Sequence, residues 1–328
     1  MKSILQQLFQ GAQLTRDQAK TYLMNIAHEK YNIVQTTAFV TAYNMRPIQP
    51  EELSGFRDAL LELAIPLSVS EFETIDIVGT GGDGKNSFNI STLAAIVVAG
   101  AGYKVTKHGS YGVSSHAGSS DVLQALGYSF TADTDSLRRQ LDEYNICFLH
   151  APLFHPAMKA VVPIRKQLGM RSFFNMLGPL VNPARPKYHL LGTFDIALSR
   201  LYQYILQKES GRFSIVHSLD GYDEVSLTSP VKLRRQSDET ILQPEDFGLK
   251  YTTQKDLYGG RNPQEAASIF LRVLQNTCTP AQRDVVLANA GLAIHTIHPE
   301  KILTDCVEEA RESLLSGNAL KTLKSITV

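Results

Sequence analysis

The spacing of apolar side chains along the chain changes character once, near Pro66. Before it, apolar residues recur at helical intervals, and the first 65 residues read as helices only. Leu53, Phe56, Leu60 and Leu63 share one face of a segment opened by Pro50-Glu51-Glu52. Thr15, with Gln18 three places on, predicts a capping box at the head of a helix from Asp17 to Ala27. From Thr74 onward, short β-rich runs alternate with helical segments, the pattern of a parallel α/β sheet. Strands are predicted at Thr74–Val78, Lys104–Lys107, Ile146–Leu149, His189–Phe194 and Phe213–His217. Helices are predicted at Thr92–Ala101, Asp121–Leu126, Ala157–Leu168, Ile196–Gln207, Pro263–Asn276, Pro280–Ala293 and Asp305–Leu315. The expected fold class is α/β, with a small all-helical N-terminal domain and a large α/β domain around a mainly parallel central sheet.

Composition narrows the class of partner. Lys+Arg and Asp+Glu both number 32, so no basic field marks a nucleic-acid or membrane-surface partner. The longest apolar stretch, Leu93 to Gly102, is too short to span a bilayer, and Met1-Lys2-Ser3 does not lead into the apolar core of a secretion signal. Cys147, Cys278 and Cys306 lack the close spacing of a disulfide framework or a zinc site. These features lead to the expectation of a reduced, soluble, cytoplasmic protein.

Candidate chemistry begins at Gly79-Thr80-Gly81-Gly82-Asp83-Gly84, which follows a predicted strand, while Asn89-Ile90-Ser91-Thr92 leads into a helix. Glycines let backbone N–H groups converge without a Cβ in the way, and the helix N-terminus adds partial positive charge, so an anion is the natural occupant. The alternative is a glycine-rich turn with Ser91 or Asn89 as an ordinary N-cap. Gly79, Gly81 and Gly84 match the dinucleotide fingerprint in form, yet the next strand ends in Thr106-Lys107-His108 rather than in an acidic residue for a ribose diol. Lys107-His108-Gly109 then opens a second loop rich in serine and glycine, Ser110 to Ser120. Neighbouring parallel strands present their C-terminal ends at one crevice, so both loops are expected to face the same ligand.

With these motifs the chain resembles the anthranilate phosphoribosyltransferase family. The resemblance is carried by Gly79–Gly84 with Phe88–Thr92, and by Lys107-His108-Gly109 with Val113-Ser114-Ser115 and Gly118-Ser119. It continues through Ala151–Lys159, Arg165-Lys166, Phe174–Pro183 and Asp220-Gly221-Tyr222-Asp223-Glu224. It implies a nucleoside phosphorylase or class III phosphoribosyltransferase-like fold, with a helical domain over 1–66 that takes a further contribution from about 156–185. The α/β domain that binds phosphoribosyl pyrophosphate (PRPP) is then 71–328, with hinges near Pro66–Ser70 and within Ala151 to Pro186. The implied reaction is attack of the anthranilate amine on C1 of the ribose with loss of pyrophosphate, a step of tryptophan biosynthesis in a cytoplasmic homodimer that binds neither nucleic acid nor membrane. An aromatic amine is neutral at pH 7, so alignment and charge stabilisation carry more of the rate than a strong base. Substrates on different domains are expected to couple alignment to hinge closure.

Carried residue by residue, the resemblance makes Lys107 and Asp83 catalytic. It assigns PRPP to Gly79, Gly82, Asp83, Ser87, Asn89, Ile90, Ser91, Thr92, Lys107, Ser115 and Ser119. Anthranilate falls to Gly79, His108, Ser110, Arg165, Gly178 and Pro179, and Mg²⁺ to Ser91, Asp223 and Glu224. The chemistry of these residue types agrees, since Mg²⁺ takes a few carboxylates, waters and substrate oxygens, and no His/Cys cluster competes for a softer metal. Met158, Val161, Arg165 and Leu168 fall on one stripe of the helix expected at Ala157–Leu168, so Arg165 interrupts an apolar face and calls for an anionic partner. That partner is a substrate carboxylate or, alternatively, a neighbouring structural acid. Two rival readings share the architecture: a pyrimidine nucleoside phosphorylase and a non-catalytic nucleic-acid-binding relative. The intact Asp223-Glu224 pair with Asn182-Pro183 argues against the first, and the balanced charge against the second. The chain departs from the family where Ser110-Tyr111 stands for the usual Asn-Arg and His116-Ala117 for a common Lys-Ser.

Overall fold

The computed structural model describes residues 1–112 and 116–327. The chain forms two compact units, Met1–Leu67 with Ala151–Pro183, and Ser68–His150 with Ala184–Val328. The helical unit contains α1 (Lys2–Phe9), α2 (Arg16–Ala27), α3 (Ile33–Ala42) and α4 (Pro50–Leu63). Thr15 accepts from the Gln18 N–H and Gln18 caps Thr15 in return, as the spacing predicts. Phe39, Tyr43, Phe56 and Phe173 make its aromatic core, with the Phe56 and Phe173 rings stacked at 4.4 Å. Glu52 is fully buried. Arg46 grips its carboxylate through both guanidinium nitrogens at 2.6 and 2.8 Å, and the N–H groups of Leu14 and Gln49 donate to it at 2.9 Å each.

The expected helix Ala157–Leu168 is not continuous. After the short α8 (Ala151–Phe154), a turn of 3₁₀ helix covers Pro156–Ala160 and α9 covers Val162–Leu168. Pro163 has no N–H to bond back one turn, so it can sit only at the start of α9. Val161 and Ile164 are the buried positions, and the stripe drawn through Met158 and Leu168 does not form as one face.

The α/β unit is built on seven strands: β1 (Thr74–Gly79), β2 (Lys104–Gly109), β3 (Ile146–His150), β4 (Tyr188–Gly192), β5 (Arg212–Ser218), β6 (Val231–Arg234) and β7 (Glu239–Leu242). Among the described residues they form one sheet in the order β3-β2-β1-β4-β5-β6-β7. The first five are parallel, and β6 and β7 add an antiparallel edge that the sequence pattern does not predict. Helices α5 (Ile90–Gly100), α6 (Ser119–Ala125), α7 (Thr134–Tyr144) and α10 (Ile196–Leu206) lie between them, and α11 (Pro263–Leu274) follows β7. Three more, α12 (Pro280–Ile297), α13 (Leu303–Leu315) and α14 (Asn318–Ile326), close the chain. The apolar stretch Leu93–Ala99 is buried on every side within α5, which packs against the sheet, α12, α13 and α14. The order of strands reverses at β1, whose two neighbours are β2 and β4, and that reversal is where such sheets open a ligand crevice.

Candidate active site

Two glycines make the floor of the crevice. Gly79 ends β1 and Gly192 ends β4, and they are paired in the ladder. A Cβ on Gly192 would stand 1.5 Å from the Asp223 carbonyl oxygen, and one on Gly79 would stand 2.3 Å from Asp223 Oδ2. No side chain fits at either place, so the turn carrying Asp223 and Glu224 lies directly across the tips of the two strands. The strand expected at His189–Phe194 stops at Gly192 for the same reason, and the Phe194 N–H turns to Thr80 Oγ1 at 3.2 Å.

The acidic pair reaches into the first glycine-rich loop. Gly81, Gly82 and Gly84 hold positive φ, a region costly for residues with a Cβ. The Gly81 N–H donates to Asp223 Oδ2 at 2.6 Å, and the Ser91 N–H at the head of α5 donates to Glu224 Oε1 at 2.8 Å. Ser87 Oγ approaches Glu224 Oε2 at 3.4 Å. The cap of α5 is therefore a carboxylate from 133 residues away. Asn89 does occupy the N-cap position, as the local reading has it, but its side chain makes no capping bond, and its amide donates to the Ala117 carbonyl at 3.2 Å.

Electrostatics at this point are unbalanced toward negative charge. Burial, then the neighbouring Asp83, push the Asp223 carboxyl well above the usual carboxylate range. Burial, then Asp223, do the same to Glu224. Asp83 Oδ1 accepts from the Lys85 N–H at 3.0 Å, while its buried Oδ2 has no hydrogen-bond partner. Two like charges about 4 Å apart repel by about 4 kcal/mol at an effective dielectric of 20, so a buried Asp223–Glu224 pair beside Asp83 favours a cation nearby. Lys107 is the near counter-charge. It is 2% exposed, its ammonium donates to the Ile77 carbonyl, and burial lowers its pKa against the pull of Asp76, Glu224 and Asp223. Lys107 thus sits beneath the crevice. His108 is equally buried, with its N–H on Asp76 Oδ1 at 3.2 Å.

The second loop is pinched shut at its neck. The N–H groups of Gly112 and Gly118 both donate to Asp121 Oδ2 at 2.8 Å, and Ser119 Oγ donates to the Ser110 carbonyl at 3.3 Å. Ser115 lies outside the described residues. Ser110 is exposed, and the ring of Tyr111 stands edge-on to His150 at 4.7 Å, which anchors this departure from the family pattern. The two loops are tied together, since Asn86 Oδ1 faces the His116 N–H at 3.4 Å and Asn89 meets Ala117. Asn86 also binds Gly260, and the Gly259 N–H donates to the Asn86 carbonyl at 2.9 Å. The segment Leu257–Gly260 thus straps the first loop, a role the sequence did not disclose. Neither did it disclose the parts played by Gly192 and Asp121.

Gly79, Gly82, Asp83, Ser87, Asn89, Ile90, Ser91, Thr92, Lys107, His108, Ser110, Ser119, Asp223 and Glu224 all fall on the α/β unit. Arg165, Gly178 and Pro179 fall on the helical unit. There the Arg165 guanidinium lies over the Phe174 ring at 5.6 Å, and burial lowers its pKa. Among the described residues Arg165 makes no ion pair. Gly178 opens a short 3₁₀ turn and has open space where a Cβ would lie.

Two family profiles match the chain. They describe a glycosyl transferase family α/β domain over residues 71–320 and a glycosyl transferase family helical bundle domain over residues 2–64. An anthranilate phosphoribosyltransferase of Bacteroides thetaiotaomicron is 54% identical over 99% of this chain and 98% of its own. That of Flavobacterium psychrophilum is 51% identical over the same shares. The crystal structure of the Thermus thermophilus enzyme superposes with a TM-score of 0.92 at 34% identity, covering 98% of both chains. The Saccharomyces cerevisiae enzyme in complex with PRPP and Mg superposes at 0.91 with 28% identity, covering 99% of this chain and 96% of that one.

Proposed function

This chain belongs to the anthranilate phosphoribosyltransferase family, and from that membership we propose how its own residues carry the reaction. It transfers the phosphoribosyl group of PRPP to the amine of anthranilate, giving N-(5-phosphoribosyl)anthranilate and pyrophosphate. The relatives compared carry the transferase name, and the nucleoside phosphorylase and nucleic-acid-binding readings are set aside.

The glycine-rich loop and the head of α5 hold the pyrophosphate of PRPP through backbone N–H groups, with Gly79, Gly82, Asp83, Ser87, Asn89, Ile90, Thr92 and Ser119 around it. Asp223, Glu224 and the Ser91 hydroxyl hold Mg²⁺. The supporting observation is the meeting of Asp223, Glu224 and the orphaned Asp83 oxygen against amides suited to an anion. Such a crevice repels a polyanion until a cation enters, and hard oxygen donors of this number suit Mg²⁺. Among the described residues no three His, Cys, Asp or Glu side chains could hold a metal by themselves, so a Mg²⁺ here would need water and substrate oxygens to complete it. When bound, Mg²⁺ neutralises charge on the departing pyrophosphate. Lys107 adds a buried positive charge from below, aiding charge stabilisation without direct contact. Arg165, whose guanidinium lies over the Phe174 ring, takes the anthranilate carboxylate, and anthranilate contacts are also assigned to Gly178 and Pro179 and to His108 and Ser110.

Phe9, Ile33, Val34 and Met45 are exposed on the helical unit beside a groove of about 780 Å³ lined by α1 and α3. This apolar face supports a homodimer formed through the helices. No helix among the described residues is long and apolar enough to cross a membrane. We place the protein in the cytoplasm, in tryptophan biosynthesis, with no nucleic-acid or membrane partner.

The test is the loss of anthranilate fluorescence with and without PRPP and Mg²⁺. Replacing both Asp223 and Glu224 by Ala is expected to cost about 10²-fold or more in rate, the scale of losing a major electrostatic stabiliser. Unchanged turnover at limiting Mg²⁺ removes the metal role from this pair.

A further inference from the structure

We infer that Asn289 of α12 is the residue that positions the Asp223–Glu224 pair for its cation. This inference rests on the metal reading of that pair and adds a second layer to it. Asn289 is 2% exposed, flanked in α12 by the buried apolar runs 285–288 and 290–294, where a polar side chain survives only if its bonds are made. Its Oδ1 accepts from the Val225 N–H at 3.1 Å, and its Nδ2 donates to the Val225 carbonyl at 2.8 Å. The second Nδ2 proton goes to the Val285 carbonyl one turn back, also at 2.8 Å, which fixes the rotamer. Both backbone polar groups of the residue next to Glu224 are thus gripped by one side chain.

Ser218, at the end of β5, holds the flanks. Its Oγ donates to the Glu224 carbonyl at 2.6 Å and accepts from the Ser226 N–H at 3.2 Å. The backbone of 224–226 is pinned from two elements, and the acidic side chains project the other way, onto Gly81 and Ser91.

A second observation shows that this turn does not hold itself. Leu227, two residues beyond the grip, sits at φ 59° while buried, a conformation that L side chains rarely adopt. Such a conformation persists only where the surroundings over-determine it. Asparagine is the one side chain of this length offering a donor and an acceptor side by side; leucine has similar size and neither.

The experiment measures Mn²⁺ binding in the presence of inorganic pyrophosphate, by the loss of the free Mn²⁺ paramagnetic resonance signal. Asn289→Leu, Ser218→Ala and Glu224→Ala are compared with the wild type. Asn289→Leu is expected to weaken Mn²⁺ about tenfold, which is about 1.4 kcal/mol. Its turnover should recover at high Mg²⁺, and its KM for anthranilate at saturating metal should stay within about twofold. A role confined to general stability would lower Tm without moving the metal constant. Ser218→Ala, the milder variant should Asn289→Leu fail to fold, is expected to weaken Mn²⁺ about threefold. In a Glu224→Ala background the Asn289 substitution should add less than about twofold. Wild-type Mn²⁺ binding in folded Asn289→Leu, or in Ser218→Ala if that is the variant left, with binding lost in Glu224→Ala, overturns the positioning role and leaves the metal reading standing. Unchanged binding in Glu224→Ala itself overturns both.

Discussion

Gly192→Ala is the smallest change that tests how the crevice is assembled. The new Cβ would lie 1.5 Å from the Asp223 carbonyl oxygen and 2.6 Å from its carbon. Gly192 cannot retreat, because its backbone is laddered between Gly79 and Val216 in the middle of the sheet. The Asp223 turn must therefore lift, by at least about 1.5 Å before the closest tolerated approach is reached. A shift of that size breaks the 2.6 Å bond from Gly81 to Asp223 and misplaces the carboxylate. Misplacement by about 1 Å costs about 10²-fold in rate, so kcat should fall by about 10²-fold or more. Overpacking of this kind destabilises by about 1–3 kcal/mol, small enough for the variant to stay folded. Anthranilate fluorescence at graded Mg²⁺, with a thermal melt on the same sample, reads both quantities. A folded Gly192→Ala enzyme with wild-type kcat and Mg²⁺ dependence would refute the reasoning.

Three further outcomes are expected. Arg165→Ala should raise the anthranilate KM about 10- to 100-fold and leave that for PRPP nearly unchanged, the scale of one charged hydrogen bond of about 1.5–3 kcal/mol; the reverse pattern removes Arg165 from the acceptor site. Val34→Glu, at a position 74% exposed on the apolar face, should convert dimer to monomer in sedimentation without loss of helicity, and a wild type that is already monomeric ends that proposal. Burial pushes the Glu52 carboxyl up, but bonds from Arg46, Leu14 and Gln49 outweigh it and hold the group below its ordinary value of 4.5. Its stabilisation is therefore complete above the unfolded value and is lost as pH falls through the lower folded one. Urea melts of the wild type should weaken at the acid end; Glu52→Gln should be less stable by about 3–5 kcal/mol at pH 7 and flatter toward acid, and a parallel acid slope in both removes Glu52 as the cause.

What the sequence discloses and what it conceals divide by distance along the chain. The capping box at Thr15 and the glycines at 79–84 are local signals, set by nearest neighbours, and the fold keeps them. The break at Pro163 is also local; an apolar stripe drawn across it ignores a residue without an N–H. Strands β6 and β7 are four residues each, too short for alternation to stand out. Glu224 as the cap of α5 and Asn289 as the grip on Val225 are different in kind, because neither partner marks the other in the sequence. Asn289 lies in a helix buried on several sides, where no polar face exists to flag it. The acidic pair is legible as carboxylates, but its use of the loop's own amides is visible only in three dimensions.

The helix that follows the first glycine-rich loop has a consequence for how the protein is made. Its stretch 93–99 is apolar on all faces, and part of its cover comes from the last stretch of chain: Ser313, 216 positions downstream of Val97, donates to the Val97 carbonyl, and Ala319 packs against Gly100. At a synthesis rate of about 5–20 residues per second, this helix waits about 10–40 s on the ribosome before α13 and α14 emerge to shield it. During that interval the nascent chain displays a sticky surface, and the proposed donor site cannot yet exist. A chain cut before Pro280 never ends the wait and is expected in the insoluble fraction of a cell lysate; recovery of that fragment as a soluble monomer would show that α5 finds other cover. Late codons thus govern an early loop, and substitutions in Leu303–Ile326, far from any substrate, should reduce yield of active enzyme more than its catalytic constants.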